Sequence, residues 1–320
     1  MILSSKLVMG GGCILLALLI GGAATAAGPS DPLPTDGAAG AGLSRLEIAL
    51  LVAAPLLVGL FLWRRWHRLD DGRRPPAPFS MPEGAAVFCG LYLAGILGAV
   101  AGQWVSNEAW SSLSEQTMPQ AGQLAAQLIM LAVLVAVWRR SPWPVDSSGG
   151  DRVSGSWDRT RPVVIGACAM LLFWPLVQSV AMAAEFLVEQ MQGAPLEPIA
   201  HETLAKLHVA PRDGWFFALT GLVVLAVPFM EEVMYRGILQ PILSGAGLGR
   251  WPAIVGTSVV FASVHLALAR PHAVAAIFVL SLGFGWAYER TGRLAAPVTM
   301  HVLFNAGNVA LIFLLPEVPG

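Results

Sequence analysis

Residues 214–236 read GWFFALTGLVVLAVPFMEEVMYR, an apolar run that ends in a short group of charged side chains. A helix needs about 20 predominantly apolar residues to cross the hydrocarbon core of a bilayer, and this run is long enough. In hydrocarbon the run must be helical, because only a helix satisfies its own backbone there. The stretch therefore predicts a membrane-spanning helix that carries Glu231, Glu232 and Arg236.

The composition of the whole chain extends this prediction to the rest of the protein. Of its 320 residues, 56% are hydrophobic and 12% are charged, whereas about 25% are charged in a typical soluble domain. The mean hydropathy is +0.66. The net charge of −1 gives no sign of the basic surface that nucleic-acid binding requires. We therefore expect an integral, multi-pass protein of the cell or plasma membrane, and a soluble enzyme is excluded.

Hydrophobic runs predict an all-α fold, a polytopic bundle of about eight or nine transmembrane helices. The predicted spans are 7–27, 44–63, 86–105, 121–138, 162–186, 214–236, 252–270, 272–288 and 294–315. Three regions follow from this pattern. Residues 1–43 are a signal peptide or a first transmembrane helix with an outer linker, residues 44–200 are N-terminal transmembrane helices, and residues 201–320 hold the polar clusters.

The charged group at the end of this stretch contains two glutamates that differ in their position relative to Arg236. Glu232 and Arg236 are four residues apart, so on a helix they share one face and can form an ion pair. Glu231 is rotated by about 100° from Glu232 and cannot use the same arginine equally well. This predicts one structural carboxylate and one that is free for chemistry. Taken alone, the group is equally typical of a helix end that reaches cytoplasmic water.

Two further polar groups follow in later apolar runs. His265 ends the stretch FASVH at 261–265, and His301 and Asn305 lie four residues apart on one helix face. Each has a simpler interpretation, as a buried core histidine or as hydrogen bonds between membrane helices. Ionisable groups in the membrane are costly and usually functional. Three such groups on three helices predict a shared, water-filled site.

The residues of these groups suit the hydrolysis of a peptide bond. That reaction needs a base that activates water and donors that stabilise the oxyanion. Glu231 is the predicted base, and His265 holds the same water or passes on its proton. His301 and Asn305 supply N–H donors. Glu232 and Arg236 are predicted to support the site by fixing the first helix.

In this order and spacing, E-E-x-x-x-R, F-x-x-x-H and H-x-x-x-N resemble the motifs of the CPBP family of CaaX-processing and bacteriocin-processing intramembrane proteases. The resemblance covers about residues 212–312. It implies that region 201–320 is the protease core of an intramembrane endopeptidase that cleaves membrane-associated proteins or peptides, C-terminal processing of the CaaX type included. By the same resemblance, Glu231 and His265 activate the water, and His301 and Asn305 stabilise the oxyanion.

No cofactor is predicted, and a glutamate-activated water without metal is the favoured mechanism. The alternative is a zinc site whose ligands are Glu231, His265 and His301. The expected partners are the lipid bilayer and a membrane protein or lipidated peptide substrate. Two other functions fit a polar membrane site: a transporter or proton-coupled carrier, and a protein that binds a membrane partner without catalysis. The substrate, its prenylation, the oligomeric state and the removal of residues 1–27 stay open.

Overall fold

Helices form nearly all of the part of the chain that the structure describes. The computed structural model describes residues 45–69, 77–109, 118–140, 156–193, 196, 201–209, 212–267 and 269–312. No β-strand occurs in these ranges. The predicted signal peptide or first helix at 7–27 lies outside them. The helices before residue 213 are α1 Arg45–Trp63, α2 Met81–Ala109, α3 Met118–Arg140, α4 Ser156–Gln192 and α5 Glu202–Val209.

The next helix, α6, carries the opening stretch and is a series of joined segments. They are α-helical Gly214–Gly221, π-helical Leu222–Ala226, α-helical Val227–Glu232, π-helical Val233–Leu239, α-helical Gln240–Leu243 and π-helical Ser244–Leu248. Asp213 caps the first segment by accepting a 3.0 Å hydrogen bond from the backbone N–H of Phe216. Pro228 lacks an N–H group and interrupts the α-helical ladder, and the first π segment ends two residues before it. Wide turns of this kind are frequent at functional sites.

Three helices complete the described chain. Helix α7 spans Arg250–Val264 and tightens into a 3₁₀ turn at His265–Ala267. Helix α8 spans Pro271–Thr291, and helix α9 spans Ala295–Ile312. Gly292 ends α8 in the left-handed conformation, with a φ of 65°, and its N–H binds the carbonyl of Tyr288. This cap turns the chain directly into α9, so the two helices are neighbours.

Four described helical stretches are long and apolar enough to cross a membrane: Met81–Gly98, Thr160–Gln192, Phe216–Leu248 and His272–Thr291. They coincide with four predicted spans, and they confirm an integral, multi-pass membrane protein. The predicted number of eight or nine spans is supported only in part. Predicted spans 44–63, 121–138 and 252–270 fall on shorter apolar helices. The last of these ends early because the chain tightens at His265 and Pro271 starts the next helix.

The course of α6 differs from the prediction at its C-terminal end. The predicted span ends at Arg236, whereas the helical stretch continues to Leu248, with a kink at Gly247, whose φ is 90°. Glu231 and Glu232 therefore lie within a long helix, roughly 25 Å of helix rise from its C-terminal end. The interpretation as a helix end that reaches cytoplasmic water is wrong for this pair.

Helix α8 is central to the packing. It packs against α4, α7 and α9, while α2 pairs with α3 and contacts α6. Gly285 on α8 allows close approach, since a Cβ there would lie 2.8 Å from side-chain atoms of Gln240 and Ile254. Small residues serve membrane helices in this way. Apolar side chains on the outside, such as Leu93 and Leu187, are exposed, as expected of surfaces that face lipid.

Candidate active site

A buried ion pair on α6 supports the candidate site. The Nη1 of Arg236 donates to Oε1 of Glu232 at 3.0 Å, and both side chains are fully buried. The Nη2 of Arg236 donates to the carbonyl oxygen of Ser281 at 3.0 Å and also to its hydroxyl. The predicted ion pair is thus present, and Ser281 extends it to α8.

Glu232 also binds the first residue of the third motif. His301 on α9 donates from Nδ1 to the same Oε1 atom at 2.9 Å, and its side chain is buried. An ionised carboxylate can only accept, so Nδ1 carries the hydrogen and Nε2 of a neutral ring carries the lone pair. One carboxylate oxygen therefore joins α6, α8 and α9.

Glu231 has a different environment from its neighbour in sequence. Its side chain is 24% exposed, whereas that of Glu232 is 0% exposed. Its Oε2 atom lies 3.6 Å from Nε2 of His301. The two adjacent acids thus contact opposite nitrogens of one imidazole, and of these two side chains only that of Glu231 is partly exposed.

Aromatic rings fix the plane of His301. Phe284 on α8 stacks on the imidazole with ring centres 4.8 Å apart and an interplanar angle of 24°. Phe261 on α7 meets it edge-on at 6.0 Å. The guanidinium of Arg236 lies over both rings, 5.0 Å from the centre of Phe261 and 5.1 Å from that of Phe284. These contacts stabilise the buried cation and restrict the imidazole.

His265 lies in the 3₁₀ turn at the end of α7 and is half-buried. Its Nδ1 atom is 2.7 Å from the carbonyl oxygen of Phe261. A carbonyl only accepts, so Nδ1 carries the hydrogen and Nε2 is left as an acceptor. Among the described contacts, no hydrogen bond or ion pair joins His265 to Glu231 or His301. The Phe261 ring contacts both histidines instead, at 4.6 Å from the His265 ring and 6.0 Å from the His301 ring.

Asn305 is positioned by the first π-helical segment of α6. Its Nδ2 donates to the carbonyl oxygen of Val223 at 2.9 Å. An amide NH₂ group has two hydrogens, so one donor remains for another acceptor. Asn305 lies one helical turn after His301 and therefore shares its face of α9.

A metal site was the alternative use of these residues. Among the described residues, no group of three or more His, Cys, Asp or Glu side chains is placed to hold a metal ion. The proposed ligand set of Glu231, His265 and His301 does not form such a group.

Sequence reasoning missed three side chains that shape the site. Ser281 is the one polar side chain that can accept a hydrogen bond in the apolar run 273–286, and that isolation was a usable signal. Phe284 and Tyr235 gave no such signal, because aromatic residues are common in any apolar helix. Their roles depend on which rings meet across helices, which the sequence does not show.

The motif region is similar to a known family. Residues 213–307, less than a third of the chain, match the family model described as "Type II CAAX prenyl endopeptidase Rce1-like". This range contains all six predicted site residues. The match confirms the resemblance to the CPBP intramembrane proteases.

Comparison with individual proteins gives a shorter match. A Bacillus subtilis (strain 168) protein described as "Uncharacterized protein YpbD" is 32% identical over 85 residues. The match spans 26% of this chain and 40% of that protein. No solved structure matches the chain significantly.

Proposed function

We propose that this protein is an intramembrane endopeptidase whose Rce1-like region, residues 213–307, hydrolyses peptide bonds of membrane-associated proteins or peptides. The observation that carries the proposal is the unequal environment of two adjacent acids. Glu232 is fully buried and bound by Arg236 and His301, whereas Glu231 is partly exposed beside the same histidine. A base that activates water needs an accessible lone pair, and Glu231 has one.

In the proposed reaction, Glu231 takes a proton from a water molecule as the water oxygen attacks the carbonyl carbon of the scissile bond. A tetrahedral intermediate with a negative oxygen forms. The bond from carbon to nitrogen then breaks, and the proton held by Glu231 passes to the departing amine. The products are a carboxylic acid and an amine, which become a carboxylate and an ammonium group by proton transfer, and Glu231 returns to its ionised form. No covalent intermediate with the protein is required.

His265 is proposed to orient the attacking water. With its Nδ1 hydrogen bound to the Phe261 carbonyl, its Nε2 lone pair can accept the second hydrogen of that water. In this proposal, one hydrogen of the water is directed at Glu231 and the other at His265. Fixing the nucleophile in this way contributes through orientation as well as through proton transfer.

Asn305 and His301 are proposed to stabilise the negative oxygen of the intermediate. Asn305 has one amide hydrogen beyond the one bound to Val223, and a preorganised amide donor is a typical oxyanion group. His301 donates to Glu232 from Nδ1. It can therefore donate to the oxyanion only when Nε2 also carries a hydrogen, in the imidazolium form.

Glu232, Arg236 and Ser281 act as support. Their hydrogen bonds join α6 to α8 and, through His301, to α9. The proposed mechanism activates the water with Glu231 and uses no metal. We propose a glutamic protease on this basis.

The substrate is proposed to be a membrane protein or a lipidated peptide. The name of the matching family refers to prenylated CAAX proteins, so a prenylated C-terminal peptide is one class. Unmodified membrane proteins are the other. Both classes are associated with the bilayer, which suits a site on a membrane-spanning helix.

Terminal proteomics tests the proposal in membranes that contain the full chain or its Glu231→Gln variant at matched levels, with and without an added prenylated CaaX peptide. Glu83→Gln is the control, because Glu83 is an exposed acid that binds Ser80 at the start of α2. We expect new peptide ends with the wild type and the control, and none with Glu231→Gln. Identical ends for the wild type and Glu231→Gln under both conditions would show that the proposal is wrong and would favour transport or partner binding.

A further inference from the structure

A tyrosine outside the matched region reaches the candidate site. Tyr92 lies on α2, 143 positions before Tyr235, and the hydroxyl groups of the two residues form a hydrogen bond. Phe88, about one helical turn before Tyr92, meets the Tyr235 ring edge-on at 5.5 Å. Helix α2 thus contacts the residue directly before Arg236 through two aromatic side chains.

The contact continues from Tyr235 to the predicted catalytic histidines. The Tyr235 ring packs edge-on against Phe261 at 4.8 Å. Phe261 in turn contacts His265 at 4.6 Å and His301 at 6.0 Å, and its carbonyl binds His265. Phe261 orients His265 through both its ring and its backbone carbonyl. A shift of the Tyr235 ring would therefore move the residue that orients His265.

The hydroxyl of Tyr235 needs a partner where it lies. The residue is 1% exposed, among aromatic and aliphatic side chains. A buried hydroxyl without a hydrogen bond is costly, and a buried tyrosine usually finds a partner for its polar end. Tyr92, which is half-buried, provides this partner from a different helix. The bond holds the hydroxyl end of the Tyr235 ring, while Phe88 and Phe261 pack against the ring in T-shaped contacts.

We propose that Tyr92 is a positioning residue of the proteolytic site, which fixes the orientation of His265 through Tyr235 and Phe261. The N-terminal helices are then part of the protease and not only an anchor for residues 213–307. This inference rests on the proposed function, since it assigns Tyr92 to the same site.

The test measures the reactivity of His265 in the full chain in detergent micelles. Diethyl pyrocarbonate acylates an unprotonated imidazole nitrogen, and peptide mass spectrometry gives the rate for each histidine. Tyr92→Phe and Tyr235→Phe remove one hydroxyl each. We expect each to raise the His265 rate by about twofold or more, the smallest effect expected of coupled neighbours. The double variant should show no further rise, and Leu93→Ala, on the lipid-facing side of α2, should leave the rate unchanged.

Three results would overturn the inference. One is that His265 in Tyr92→Phe is acylated at the wild-type rate. Another is that the increases in the His265 acylation rate caused by the two single variants multiply in the double variant. The third is an equal rise at His208 and His272, which would indicate general loosening of the fold. The acylation of His265 does not depend on turnover. The proposed function is therefore tested separately, by the loss of new peptide ends in Glu231→Gln. Where those ends exist, Tyr92→Phe should reduce them and Leu93→Ala should not.

Discussion

His301 and Glu232 are joined by a buried hydrogen bond of 2.9 Å between Nδ1 and Oε1. The same oxygen accepts from Arg236, so one atom holds a residue of α9 and a cation tied to α8. On the other side of the imidazole, Nε2 faces Glu231 at 3.6 Å. Glu232 therefore sets the orientation of His301, and His301 presents its second nitrogen to the acid that we propose as the base.

Replacement of Arg236 by alanine should destabilise the protein. It removes the only guanidinium bound to Glu232 in the described contacts and leaves that carboxylate as a buried, poorly compensated charge. Breaking a buried pair in this way costs about 3–5 kcal/mol. We expect the free energy of unfolding in detergent to fall by that amount. Arg161→Ala, an exposed arginine at the start of α4, serves as the control and should change it by less than about 0.5 kcal/mol. Equal stability of Arg236→Ala and wild type would contradict the buried ion pair.

Replacement of His265 by alanine should abolish turnover while the fold is kept. The half-buried ring makes its hydrogen bond within its own turn, to the Phe261 carbonyl, and it meets the His201 ring at 6.3 Å. Its loss therefore removes a ring contact but breaks no described hydrogen bond between helices. Loss of a group that acts in proton transfer lowers the rate by about 10²- to 10⁴-fold. The measurement is the yield of Glu231-dependent peptide ends, together with the melting temperature. His208→Ala, on α5, is the matched control. A His265→Ala variant that cleaves at the wild-type rate would remove this residue from the mechanism.

Metal removal should leave the activity unchanged. The site residues do not form a group that could hold a metal, and the proposed water is activated by Glu231. We expect the same cleavage after dialysis against 1,10-phenanthroline, and elemental analysis should find less than one zinc per chain in the active protein. Loss of activity that returns on addition of zinc would favour the metal-dependent alternative. It would also require the side chains of Glu231, His265 and His301 to move together.

The sequence was sufficient for the elements that depend on local pattern. The apolar runs predicted the helices, and the spacing of Glu232 and Arg236 predicted their ion pair. The bond between Glu232 and His301 was not predictable, because it joins residues 69 positions apart on helices whose relative rotation depends on packing. The continuation of α6 to Leu248 was missed for a related reason. Residues 237–248 contain Pro241 and three glycines, which favour a loop locally, and the helix there is held by its neighbours.

Ser281 should matter through Arg236 alone. Its hydroxyl and its carbonyl both accept from Nη2, so Ser281→Ala removes one acceptor from a buried cation and keeps the other. A hydrogen bond to a charged group contributes about 1.5–3 kcal/mol. We therefore expect a loss of stability at the lower end of that range, smaller than for Arg236→Ala. Ser263→Ala is the control, because that exposed hydroxyl binds only the carbonyl of Val259 in its own helix. When Ser281→Ala is added to Arg236→Ala, it should lower the free energy of unfolding much less than it does in the wild type, because the Arg236 donor is already absent. Additive losses in the double variant would mean that Ser281 stabilises α8 independently of the ion pair.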